Sequence, residues 1–96
     1  MKPEFHPAAA RELEAAVLSG EAHGPRLGAE LRSEAQRVTQ VLLDTPHIGE
    51  PIGNGLRRFP LKRFPFALLY RVDGERLRII AVAHRRQRPG YWSRRK

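Results

Sequence analysis

Cysteine is absent from this chain. Its absence excludes disulfides, cysteine-ligated metal sites and a thiol nucleophile. Long apolar runs are missing too: no stretch nears the roughly 20 residues that a membrane-spanning helix requires. The opening residues, MKPEFHPAAAREL, carry no apolar signal core, so a soluble, cytoplasmic protein is expected. The four histidines (His6, His23, His47 and His84) have no metal-ligand spacing, and neither a metal nor a cofactor is expected. Acids are scarce in the second half. Between Arg57 and Lys96 stand thirteen Lys and Arg against two acids, Asp73 and Glu75, whereas the first half is close to neutral. The formal net charge is +8. Segregation of this kind favours a nucleic-acid or acidic-protein partner.

What is present suits one domain over residues 1–96, with one modest core: 41% of the 96 residues are hydrophobic. Lys2 to His6 reads as a short edge strand. Pro7 suits the first position of a helix, where its missing N–H would lack a partner anyway. That helix runs from Ala8 to about Leu18, with Ala9, Leu13, Ala16 and Val17 on one stripe, and Ser19-Gly20 ends it. Gly24-Pro25 opens a second helix. There Leu27, Leu31, Ala35, Val38 and Leu42 mark one face of a 3.6-residue period, and Asp44-Thr45-Pro46 stops it. The two form an antiparallel hairpin. Glu12, Glu14, Glu30 and Glu34 read as solvated helix faces, with Arg26 and Glu30 paired one turn apart. His47 to Gly55 reads as loop. It is no phosphate-binding loop, because no strand precedes it, no helix follows it and the lysine is missing.

Three strands follow: Leu56 to Lys62, Phe66 to Val72, and Glu75 to His84. Asp73-Gly74 between the last two is a two-residue turn signal of the I′ kind. That turn sets a register in which Tyr70 faces Leu77, Leu68 faces Ile79 and Phe66 faces Ala81, making one apolar face. The other face receives Arg71 with Arg76, Leu69 with Arg78, Ala67 with Ile80, and Arg63 with His84, joined by Arg58 and Lys62. The expected architecture is α+β: a two-helix hairpin on one face of a small antiparallel sheet, ordered β-α-α-β-β-β, with the other face mixed and cationic.

Beyond the last strand, residues 85–96 form a basic, aromatic tail. His84 closes the strand and Arg85 begins the tail, Arg86 and Arg88 follow, and Tyr91-Trp92 comes after Pro89-Gly90. His84 is a candidate general acid or base, or a structural histidine bonding the tail backbone. Tyr91 and Trp92 are a stacking platform for bases or a latch folding the tail onto the domain, Trp92 being the better latch. Arg94, Arg95 and Lys96 read as mobile terminal charge.

The element order, with Arg63-Phe64-Pro65-Phe66, Leu69-Tyr70-Arg71-Val72, Ala81-Val82-Ala83-His84-Arg85-Arg86 and Pro89-Gly90-Tyr91-Trp92, resembles the RelE/ParE superfamily of type II toxin–antitoxin toxins. Leu27-Gly28 opening the second helix and Pro46 closing it also fit. The resemblance covers nearly the whole chain. It implies a toxin that arrests growth until a cognate antitoxin neutralises it, a role associated with plasmid stabilisation. Some members cleave ribosome-bound mRNA without a metal; others inhibit DNA gyrase and are not nucleases. For the cleaving branch it implies Arg85 as phosphate stabiliser and Tyr91 as general base or base-stacking residue, with His84 beside them. Arg58, Lys62, Arg63, Arg71, Arg78, Arg86 and Arg88 would bind nucleic acid or antitoxin. Pro60 and Ala67 depart from the cleaving pattern, since both stand where cations are expected; Arg63 is the residue that could compensate for Ala67. A plain nucleic-acid-binding module is the third reading that composition allows.

Overall fold

Seven elements follow one another in the computed structural model, which describes residues 1–96. They are β1 (Lys2–Phe5), α1 (Pro7–His23), α2 (Leu27–Asp44), β2 (Glu50–Gly53), β3 (Leu56–Pro60), β4 (Phe66–Asp73) and β5 (Arg76–His84). The strands make one sheet in the order β1-β5-β4-β3-β2. The sheet is mixed rather than antiparallel throughout, because β1 lies parallel to β5. β2 falls inside the stretch expected to be loop. It is an edge strand, and an edge tolerates both Pro51 and the bulge between Pro51 and Gly53.

Pro7 opens α1, and the His6 side chain caps it by accepting from the Ala8 N–H at 2.9 Å. The helix does not stop at Ser19-Gly20 but continues to His23. Gly20 is needed there for close approach: a Cβ on it would lie 3.2 Å from the Gly28 nitrogen of α2. Gly28 is tighter still, with a would-be Cβ 2.5 Å from the Val17 carbonyl oxygen. The two glycines let α1 and α2 cross almost backbone to backbone. The expected α2 face is the buried one: Leu31, Ala35, Val38 and Leu42 are all at most 2% exposed.

The β4–β5 hairpin differs from the expected register in two ways. Asp73 stays in the ladder opposite Arg76, so the loop is Gly74-Glu75. A I′ turn on Asp73-Gly74 would need positive φ at both residues, and only Gly74 has it, at +58°. Glycine in the first loop position belongs to the other tight hairpin turn, which sets pairing two residues further along β5. Then Ile80 is inserted as a bulge, since Tyr70 faces Ile79 while Leu69 faces Ala81. The bulge reverses the alternation downstream. Val82, not Ala81, enters the core beside Leu68, Tyr70, Leu77 and Ile79. Phe66 lies opposite His84, which displaces Arg63 from the place expected for it.

Tyr70 anchors the loop that follows α2. Its hydroxyl donates to the Pro46 carbonyl at 2.8 Å and accepts from the Gly49 N–H at 2.9 Å. A Cβ at Gly49 would come within 2.6 Å of that hydroxyl. Tyr70→Phe leaves two backbone groups without a partner and should lower unfolding stability by roughly 2 kcal/mol. Chemical denaturation measures this, and an unchanged midpoint would show that the hydroxyl does not hold the loop.

Candidate functional site

The second face of the sheet, away from the helices, carries the apolar residues expected in a mixed face, but they fill its centre. Its centre is apolar and buried: Ala67, Leu69, Ile80 and Ala81 are all at most 2% exposed. Pro60, Ala67 and Ala83 form one row across β3, β4 and β5, and Arg58, Leu69 and Ala81 form the next. The tail returns to this face. Leu56 and Arg71 line a cleft of about 500 Å³ with Pro89, Gly90 and Trp92. Cations stand at the rim, not in the middle.

β5 explains how the tail is held. β1 pairs with it only as far as Ile79, because β1 ends at Phe5 and α1 begins. Beyond that point the β5 edge has no strand to satisfy it, and unpaired backbone groups there must find other partners. Two side chains supply them. The Glu12 carboxylate accepts from the Val82 N–H at 3.0 Å, and the Arg95 guanidinium donates to the Ile80 carbonyl at 3.1 Å. Glu12 and Arg95 also pair with each other through two bonds of 2.8 and 2.9 Å. Their side chains are only 19% and 18% exposed. Burial alone would raise the Glu12 pKa, yet hydrogen bonds from Arg95 and the Val82 N–H hold it below the ordinary glutamate value. Arg95 is thus not mobile terminal charge, and Glu12 is not a solvated helix residue. Lys96 is tethered as well, because its carbonyl accepts from Arg78 at 3.0 Å.

The three catalytic candidates are not joined to one another by any hydrogen bond. Tyr91 sits under the Arg95 guanidinium, 5.0 Å from its ring centroid, with Trp92 edge-on at 5.3 Å. Its hydroxyl is buried beside Glu12 and makes no hydrogen bond of good geometry. Burial and then the neighbouring carboxylate raise its pKa, the opposite of what a general base needs. His84 lies on the helix side, edge-on to Phe66 at 5.0 Å. Its Nδ1 accepts from the Arg86 N–H at 3.0 Å, the structural arrangement of a histidine that fixes the tail backbone. Arg85 is exposed, and its N–H donates to the Pro65 carbonyl at 2.9 Å.

The binding candidates divide by partner. Arg71 pairs with Asp73, and Arg78 with Glu4. Arg63 turns to α2 and pairs with Glu30 at 2.7 Å, so Glu30 does not pair with Arg26. Arg63 and His84 do line one cleft, of about 390 Å³, but on the helix side beside α1. Arg63 therefore does not replace a cation at Ala67. Lys62 is also on the helix side, its N–H donating to Glu34 at 2.7 Å, because β3 ends at Pro60 and the chain turns. Arg58, Arg85, Arg86 and Arg88 are exposed without an ion-pair partner. Reading the sequence missed the Glu12–Arg95 pair. The signal for it was present, since Glu12 falls at three and four residues from Ala9 and Ala16, on the buried stripe.

Removing the charge pair should cost roughly 2 kcal/mol in either Glu12→Gln or Arg95→Met. A carboxylate with a depressed folded pKa adds stability above its ordinary value of 4.5 and loses it as pH falls through the folded value. The stability gap between wild type and Glu12→Gln should therefore be full at pH 7 and close on acidification. A gap that widens in acid would contradict this.

Over residues 4–89 the sequence matches the family described as ParE toxin of type II toxin-antitoxin system, parDE. A solved structure of a chromosomal ParDE toxin–antitoxin system from P. aeruginosa is similar with a TM-score of 0.76 and 22% identity, covering 88% of this chain and 95% of that one. At that identity the likeness concerns the fold. A search of the curated proteins found no match. With 86 of its 96 residues inside the match, residues 4 to 89, the chain belongs to the ParE toxin family of type II toxin–antitoxin systems.

Proposed function

We propose that this toxin arrests growth by binding, as a non-catalytic inhibitor of DNA gyrase, and that a cognate antitoxin neutralises it. The observation that carries the reading is the state of Tyr91. A phenol buried beside a carboxylate, with its pKa raised, is poorly suited to take a proton from a ribose hydroxyl. The surroundings support the same reading. Ala67 is 2% exposed and carries no group that could stabilise a phosphorane, and Pro60 is its neighbour on β3. His84 has one ring nitrogen committed to the backbone of Arg86. Metal-independent cleavage of ribosome-bound mRNA is the competing reading, favoured by the exposed Arg85 next to His84.

The antitoxin suited to this surface is acidic where it meets Arg58, Arg85, Arg86 and Arg88. It is apolar where it meets the groove beside β1, lined by Phe5, Leu13 and Leu43. Such a complex combines charge with apolar anchors and should survive moderate salt; dissociation there would contradict the apolar share.

Purified toxin should inhibit supercoiling by gyrase, and Tyr91→Phe, which keeps the ring packing, should inhibit to a similar degree. Supercoiling that proceeds unhindered at saturating toxin would overturn the target assignment. Loss of growth arrest in folded Tyr91→Phe would instead favour cleavage.

A further inference from the structure

Eight of the eighteen Lys and Arg side chains are committed to a carboxylate or a carbonyl, and several of the uncommitted ones gather at one end. The loop after β3 and the segment after β5 lie together there, joined by the Arg85 N–H to the Pro65 carbonyl. They present Lys62, Arg85, Arg86 and Arg88, all exposed and none within ion-pairing distance of an acid. Arg26, at the start of α2, shares a cleft of about 480 Å³ with Lys62 and Arg63. The two acids of that cleft are already occupied: Glu30 pairs with Arg63, and Glu34 with Arg37 and the Lys62 N–H. The field at this end is therefore positive. Arg26 and Arg63 also hold positive φ, at 74° and 69°, a conformation that non-glycine residues rarely adopt and that the surrounding structure must maintain.

We infer that this end contacts the phosphate backbone of duplex DNA. The inference rests on the reading of gyrase as target, an enzyme whose substrate is duplex DNA. The features that other nucleic acids call for are missing. Single strands are held by aromatic rings on which bases stack. Here Tyr91 and Trp92 pack on each other, and Phe64 is partly buried with the Arg63 guanidinium over its ring. The basic residues 62, 85, 86 and 88 all follow strand ends, so none of them is carried on a helix or strand that could enter a groove. Cations without a base-reading element give sequence-independent contact with phosphates, and the affinity is steeply salt-dependent. The contact would hold the toxin where DNA and enzyme meet and would add to affinity for the DNA-bound enzyme over the free one.

Fluorescence anisotropy with a labelled duplex of about 20 bp, with toxin alone across a salt series, tests this. Wild type should bind with a negative slope of log K against log salt. Arg86→Ala/Arg88→Ala should weaken binding by about tenfold and flatten the slope by about 1.8, two phosphates' worth. The control Lys2→Ala/Arg76→Ala removes the same charge at the opposite end of β5 and should change the slope by less than half as much. No binding by wild type, equal effects of the two double variants, or tighter binding of single-stranded RNA or DNA than of the duplex would each overturn the proposal. Because gyrase is absent from this assay, failure here is distinct from failure of the supercoiling test.

Discussion

The pairing of Glu12 with Arg95 is the interaction on which the outer half of this molecule depends. β1 is too short to cover β5, and the sheet would otherwise expose backbone groups at Ile80 and Val82. A carboxylate from α1 and a guanidinium from the tail stand in for the missing strand. One pair of side chains therefore does three things: it closes a sheet edge, it ties α1 to the tail, and it fixes Tyr91 beneath the guanidinium. Each partner is largely withdrawn from water, so loss of either would leave a charge without compensation.

That constraint reaches the function. Tyr91 is held in the packing of the tail. Arg71, Arg78 and Arg63 are held by acids of their own. Among the cations left without an acid partner are Arg58 at the rim and Arg85, Arg86, Arg88 and Lys62 at the basic end. A surface of that kind recognises charge and shape.

Much of the fold was legible in the sequence because it rests on periodicity. The α2 stripe from Leu31 to Leu42, the Pro7 start of α1 and the Asp44 stop of α2 are local signals, and each holds in the structure. The misread parts have non-local causes. α1 continues through Gly20 because Gly28 on the other helix lies against it. The hairpin register depended on which of two turn types Gly74 adopts, and on a bulge at Ile80 that no residue type announces. β2 was hidden by Pro51 and its neighbouring glycines. At the site, the residue types were visible but their partners were not. Arg95 looked like loose charge because its partner lies at Glu12, eighty-three residues away.

As proposed, this toxin binds and does not cut. The most direct test is to induce it in cells, map the 5′ ends of ribosome-associated transcripts, and read the superhelicity of a resident plasmid from the same culture. The account predicts relaxed plasmid and no new transcript ends within coding regions. New ends within translated codons, with plasmid superhelicity unchanged, would contradict it.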